Sequence, residues 1–241
     1  NKAAKEMRER LQVLLAGSVE HLSALTFHAA CAGILRRDGQ AMGLTSKFVI
    51  YDDDDQINII KRSLQELALD PKQYPPKTFQ NAISSAKSQL LTAEHFSQRS
   101  HSYFEEVVSR VYRQYETLLA QSQALDFDDL LMKAYQLFES RPDVLAKYQS
   151  RYLHLLIDEF QDTNITQYSL AKQMAAKNRN ICVVGDPDQS IYSWRNADLR
   201  NILNFEHDYP EAKVVYLEQN YRSTKTILEA AHQVVPVNKS R

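Results

Sequence analysis

Leu153-His154-Leu155-Leu156-Ile157-Asp158-Glu159-Phe160-Gln161-Asp162, residues 153–162, is the stretch on which the fold turns. An apolar run of strand length ends abruptly on two carboxylates. The layout recurs downstream, where Ile181-Cys182-Val183-Val184 runs into Gly185-Asp186-Pro187-Asp188-Gln189-Ser190. It recurs again where Val214-Val215-Tyr216-Leu217 runs into Glu218-Gln219-Asn220-Tyr221-Arg222. Strands expected at 152–157, 180–184 and 213–217 alternate with helical segments at 164–176, 190–206 and 223–235, which predicts an α/β fold with a parallel sheet. Ligands of such sheets bind beyond the carboxyl ends of the strands. Polar strand ends sharing one edge therefore mark the candidate site.

Working upstream, Met7, Leu11, Leu14 and Leu15 share one helical face, and Gly17 is expected to stop that helix. Leu22 to Phe27 reads as a strand ending at Thr26-Phe27-His28, followed by a helix through Cys31, Ile34 and Leu35. Phe48 to Tyr51 reads as a second β segment. From Asp52 to about Ser150 the pattern predicts helices only. Asp55 is expected to cap the first of them, which carries Ile57, Ile60, Leu64 and Leu67; the Asp52–Asp55 run reads as a solvated turn and cap rather than a metal site. Further helices are expected after Pro75-Pro76, from His101 to Gln121, from Leu125 to Phe138 and after Pro142. A wholly helical stretch between strands reads as an insertion into the sheet domain.

Composition narrows the class. Of 241 residues, 44% are hydrophobic and 24% charged, as in a folded globular protein, which excludes disordered, collagen-like and disulfide-scaffold chains. Only 5 residues are glycine, too few for a turn-rich all-β architecture. The net charge of -1 does not announce a nucleic-acid partner, although a local basic groove fits inside a neutral total. Cys31 and Cys182 lack C-x-x-C spacing and are expected as buried free thiols in a reducing compartment. No apolar run is long enough to span a membrane.

Asp158-Glu159 carries the most chemistry. An aspartate leaving a buried strand suits magnesium, which favours hard oxygen ligands and keeps several waters. An adjacent glutamate can orient or deprotonate water attacking a phosphate. His154 alternates onto the strand face of Asp158, but no second histidine stands at ligand spacing, so a structural role is expected.

Longer blocks carry a resemblance. Asp158-Glu159-Phe160-Gln161-Asp162-Thr163-Asn164 resembles motif II of the UvrD/PcrA/Rep-type superfamily 1 DNA helicases. Residues 183–195 are similar to motif III, and Leu217-Glu218-Gln219-Asn220-Tyr221-Arg222-Ser223-Thr224 to motif IV. Asn1-Lys2-Ala3-Ala4 resembles the tail of motif Ia and Thr26-Phe27-His28-Ala29 resembles motif Ib, while Leu125-Asp126-Phe127-Asp128-Asp129-Leu130 resembles the segment preceding motif II. The blocks are in order and cover almost the whole chain.

The resemblance implies a RecA-like, P-loop NTPase-type core at 1–48 and 125–215, a helical insertion at 49–124, and the start of a second motor domain or a linker at 216–241. It implies an ATP-dependent helicase coupling Mg-ATP hydrolysis to 3′–5′ movement on single-stranded DNA. Asp158 would hold Mg2+, Glu159 activate water, Gln189 sense the γ-phosphate, Arg222 act as an arginine finger, and Tyr221 stack on adenine. Thr26, Phe27, His28, Phe127, Tyr192, Trp194 and Arg195 would contact single-stranded DNA. Trp194 as a packing anchor, Phe127 as a core residue and Arg222 as a solvated surface group remain open. In the insertion, Lys87, Arg99, Arg110 and Arg113 are candidates for phosphate contact or for a solvated face. Single-strand/duplex junctions and repair or replication proteins would be partners, in a cytoplasmic, nucleoid-associated setting.

The family's G-x-x-x-x-G-K-[ST] loop has no counterpart here: Ala16-Gly17-Ser18 is followed by Val19-Glu20. The sequence is expected to be an internal piece of a larger helicase, inactive alone. Three alternatives stand beside this reading: a non-enzymatic DNA-binding module that has lost the phosphate loop, a metal nuclease built on Asp158, Glu159 and Asp186, and the motor part of a helicase–nuclease.

Overall fold

The computed structural model describes residues 2–16 and 22–234. The stop expected at Gly17 lies outside them, as does the side chain of Arg195. The chain runs α1 (Lys2–Leu14), α2 (Phe27–Asp38), β1 (Val49–Ile50), α3 (Asp53–Glu66), α4 (Pro76–Ser88), α5 (Ala93–Gln98), α6 (Tyr103–Gln121) and β2 (Ala124–Leu125). It continues as α7 (Phe127–Ser140), α8 (Pro142–Arg151), β3 (Leu155–Ile157), α9 (Ile165–Ala175), β4 (Ile181–Val183), α10 (Arg200–Leu203), α11 (Phe205–Asp208) and α12 (Lys225–Val234). The fold is α/β but mostly helical, with two small parallel sheets among the described residues. β1 pairs β2 with Val49 opposite Ala124, and β3 pairs β4 with Leu156 opposite Cys182.

Several elements differ from the sequence reading. Leu22–Phe27 is not a strand: Thr26 accepts the Ala29 N–H on its hydroxyl at 3.3 Å, so it is an N-cap and Phe27 begins α2. Asp52, not Asp55, caps α3, and Asp55 sits three residues on, returning a bond to the Asp52 N–H. β2 takes Leu125, the first residue expected to be helical, because Asp126 caps α7 and Leu125 lies outside that helix. At 213–217 the chain forms no strand and Val214, Val215, Tyr216 and Leu217 are exposed. An apolar run becomes a strand only beside a ladder that takes up its N–H and C=O groups. Cys182 is exposed, because it faces away from the packed side of β4, while Cys31 is buried. Burial pushes the Cys31 thiol up to about 12.

Three apolar clusters result. One joins α2, α7 and α8 around Leu35, Leu137 and Tyr148; a second joins α3, α4 and α6 around Leu64, Phe79 and Val111. A third lies under the second sheet, with Ile157, Phe160, Tyr168 and Phe205. Phe27 packs partly buried against the first and third.

Lys87 corrects another expectation. Instead of facing phosphates or solvent it is 1% exposed. Its Nζ lies 2.8 Å from Asp126 Oδ2, 2.8 Å from Asp129 Oδ1 and 2.6 Å from Glu116 Oε1. Asp126 and Asp129 form the capping box of α7, so one pair of carboxylates both starts that helix and neutralises a lysine from α4. Tyr115 donates its hydroxyl to Asp126 at 2.7 Å, and Thr166 donates to the Lys87 and Ser88 carbonyls at 3.1 and 2.9 Å. α4, α6, α7 and α9 thus meet at one buried charge. Arg99, Arg110 and Arg113 are exposed.

Burial pushes the Asp126 carboxyl up, and Lys87, the Asp129 N–H and Tyr115 overcome it, leaving it below the usual carboxylate range. Burial, then the Asp126 charge, raises Asp129 to about 7; burial raises Asp128 to about 6. A carboxyl raised above its unfolded value of about 4 contributes stability that is fully present at lower pH and lost as pH rises through the folded value. Between pH 5 and 8 the melting temperature of this chain is therefore expected to fall. Asp129→Asn, which mimics the protonated form, should flatten that fall; an identical slope in the variant would remove Asp129 as its source.

Candidate functional site

β3 and β4 lie parallel, so their carboxyl ends emerge side by side. The ladder continues past both: the Val184 N–H donates to the Ile157 carbonyl at 2.8 Å, and the Phe160 N–H to the Val184 carbonyl at 2.9 Å. This stitches Asp158-Glu159 to the loop beginning at Gly185. Leu155, Ile157, Ile181 and Val183 are packed below, leaving the polar ends exposed.

Glu159 adopts a left-handed backbone, φ 51 and ψ 45, before the 3-10 turn Phe160–Asp162. A residue with a Cβ is uncommon there, and such conformations persist where surrounding bonds over-determine them. Here the Glu159 N–H donates to Asp158 Oδ1 at 3.1 Å and its carbonyl accepts from the Asp162 N–H at 3.0 Å. Its Oε2 accepts from Gln161 Nε2 at 2.8 Å. Gln161 Oε1 accepts from the Asp186 N–H at 3.1 Å. Asp186 in turn accepts the Asp188 N–H at 3.0 Å and Gln189 Nε2 at 2.8 Å. A continuous relay joins Glu159 to Gln189.

Asp162, beside it, is raised by burial and by the Glu159 charge, and its Oδ1 is buried without a hydrogen-bond partner among the described residues. Asp158 is exposed, and its Oδ1 takes the Glu159 N–H. No group of three or more His, Cys, Asp or Glu that could hold a metal occurs among the described residues. One exposed carboxylate fits magnesium, which needs few protein ligands when phosphate and water supply the others. His154 is exposed and pairs through Nδ1 with Asn180 Nδ2 at 2.7 Å.

The aromatic candidates fall into two groups. His28 and Phe127 meet edge to face, centroids 5.8 Å apart, with Phe127 46% exposed. Burial lowers His28, favouring its neutral form. Tyr192 and Trp194 lie 6.1 Å apart, and Trp194 is 70% exposed. Ser193–Arg195 form a 3-10 turn that closes on Asn196, left-handed at φ 62. That turn is tied to the end of the Asp158–Thr163 segment, because the Asp198 N–H and Asn201 Nδ2 both donate to the Thr163 carbonyl at 2.9 Å.

Tyr221 and Arg222 are not joined to this network. Tyr221 is 92% exposed, and the Arg222 and Ser223 N–H groups donate to Asn220 Oδ1 at 2.9 and 2.8 Å. Among the described residues, no hydrogen bond or ion pair links either side chain to Asp158, Glu159 or Gln189. Sequence reasoning passed over Gln161 and Gly185. The available signal was a glycine directly after an expected strand in a glycine-poor chain, two residues before a second glutamine-bearing turn at Pro187–Gln189.

The family model described as the UvrD/REP helicase N-terminal domain matches residues 1–210. The chain is 49% identical over 241 residues to an ATP-dependent DNA helicase PcrA of Bacillus subtilis (strain 168), covering all of this chain and 33% of that protein. It is 48% identical to those of Staphylococcus aureus (strain NCTC 8325 / PS 47), again over all of this chain and 33% of that protein, and of Leuconostoc citreum, over all of this chain and 32% of that protein. The chain spans about a third of the length of the curated relatives it matches.

Proposed function

This chain belongs to the UvrD/REP helicase family, and on that premise we propose that it forms part of an ATP-driven DNA motor. The observation that carries the reading is the relay from Glu159 to Gln189 across the ends of two parallel strands. It supports a site in which groups facing a nucleotide respond together. In this reading β3 and β4 belong to a RecA-like sheet within 1–48 and 125–215, and 49–124 is a helical insertion bracketed by the paired strands β1 and β2. Residues 216–241 begin a second motor domain or a linker.

ATP is the nucleotide, and Asp158 is the residue that would hold its Mg2+; bound there, the ion would neutralise phosphate charge. Glu159 orients and deprotonates the attacking water. Gln189 contacts the γ-phosphate, is coupled to Glu159 through Asp186 and Gln161, and leads through residues 190–193 to Trp194. Arg222 supplies the planar, permanently charged group suited to charge developing in phosphoryl transfer, and Tyr221 stacks on the base. Both act on the site once 216–222 is brought against it. Single-stranded DNA, reached at junctions with duplex, runs over Thr26, His28, Phe127, Tyr192, Trp194 and Arg195. Phe27, half inside two apolar clusters, shapes that surface more than it touches bases. Repair or replication proteins are the further partners, and the cytoplasmic nucleoid the setting.

Exposure of Trp194 favours base contact over packing, since an anchor would be covered. Trp194→Ala is expected to weaken single-strand binding by about 1–3 kcal/mol, the scale of one stacked base. Fluorescence anisotropy with a labelled oligonucleotide measures it. Unchanged binding with a lower melting temperature would make Trp194 a packing residue. The ATPase side is tested by the Glu159 and Arg222 variants discussed below.

A further inference from the structure

Gln161 occupies a position that the reading above leaves without a role. It is 1% exposed, yet its amide spends neither of its bonds on the core. Its partners leave no freedom in how the amide lies. A backbone N–H can only donate and an ionised carboxylate can only accept, so the oxygen must face Asp186 and the nitrogen Glu159, as observed at 3.1 and 2.8 Å. Glutamate could not donate to Glu159, and lysine could not accept from Asp186. Gly185 makes room for the bridge: a Cβ there would lie 2.5 Å from Gln161 Oε1 and 3.2 Å from the Gln161 backbone N. Asp186 donates its N–H to Gln161 and accepts from Gln189 on its carboxylate. One buried amide therefore fixes the Glu159 carboxylate and the loop that carries Gln189 relative to each other.

We propose that Gln161 is a positioning residue that sets the Glu159 carboxylate for attack and makes its placement depend on the Gln189 loop, with Gly185 as the clearance that allows it. The inference rests on the roles given to Glu159 and Gln189 above.

Two substitutions at Gln161 separate its two bonds. Gln161→Glu keeps an acceptor for the Asp186 N–H but replaces the donor to Glu159 with a second carboxylate. Gln161→Met keeps the length and loses both bonds. In the full-length motor, Gln161→Glu should lower kcat for DNA-stimulated ATP hydrolysis by about 10- to 100-fold, the scale of a small misplacement of a reacting group. KM for ATP should stay near wild type, while the melting temperature of Gln161→Glu should fall because a second carboxylate is buried beside Glu159. Gln161→Met and Gly185→Ala should lower kcat similarly and also reduce the ratio of DNA-stimulated to basal rate. Independently of turnover, amide hydrogen exchange at Asp186 should accelerate in Gln161→Met and Gly185→Ala but not in Gln161→Glu.

Glu159→Gln is the reference. If it leaves turnover intact, the role of Glu159 falls and this inference with it. If it abolishes turnover while Gln161→Glu remains at the wild-type kcat, only this inference falls. Losses in the Gln161 variants carried by a raised KM with kcat unchanged would show a merely structural glutamine and overturn it as well.

Discussion

Lys87→Met is expected to destabilise this chain by about 3–5 kcal/mol, because it leaves buried carboxylates without their counter-charge. Methionine keeps the length of the side chain, so the loss reports charge rather than volume. Lys87 stands within 2.8 Å of Asp126 and Asp129, both buried, and its ammonium lies 5.1 Å from the centre of the Tyr115 ring. Removing the charges together should behave differently. A variant combining Lys87→Met with Asp126→Asn and Asp129→Asn retains an α7 N-cap and leaves only Glu116 of the cluster charged, with Lys133 3.5 Å from it, and should regain much of the loss. Urea unfolding of the three proteins decides the matter. A single-variant loss below about 1 kcal/mol would mean that water reaches the cluster and that the charges are screened as on a surface.

The largest functional effects are expected at Glu159 and Arg222. In the full-length motor Glu159→Gln should bind ATP as tightly as wild type and lose about 10²- to 10⁴-fold in turnover with saturating single-stranded DNA, the range of a general base. Glutamine preserves the acceptor oxygen that Gln161 Nε2 reaches, so the fold of the loop should persist while the proton acceptor disappears. Arg222→Ala should lose about 10³- to 10⁵-fold, the scale of an arginine finger, although no hydrogen bond or ion pair joins Arg222 to Glu159 among the described residues. Its effect therefore also tests whether 216–222 closes on the site. Stopped-flow binding of a fluorescent nucleotide, paired with phosphate release, separates the two steps. Turnover near wild type in either variant would remove that residue from the reaction.

How far these sites were legible in sequence depended on the range of the interaction involved. The capping box at Ser102 and Glu105 lies within a single turn, and α6 begins at Tyr103, two residues after the expected His101, and ends at the expected Gln121. The polar ends at Asp158 and Asp186 were legible because strand propensity breaks sharply into charge within two residues. Thr26 was misread for a related reason: an apolar run of six residues suits a strand as well as a helix entry, and only the hydroxyl bond to Ala29 distinguishes them. β2, two residues long, carries no period at all.

What the sequence by itself determined is the order of strand ends, the amphipathic helices and the family, since each is written in neighbours or in contiguous motifs. Only tertiary structure decided the rest. Lys87 reads as a surface lysine because its partners Asp126 and Asp129 lie 39 and 42 residues away. Val214–Leu217 reads as a strand because apolar pattern records the wish to be buried, not the presence of a neighbouring ladder. Gln161 reads as one polar residue among several in a motif. Its role exists only where β3 and β4 lie side by side, because a hydrogen bond is set by the distance between atoms in space and not by their separation along the chain.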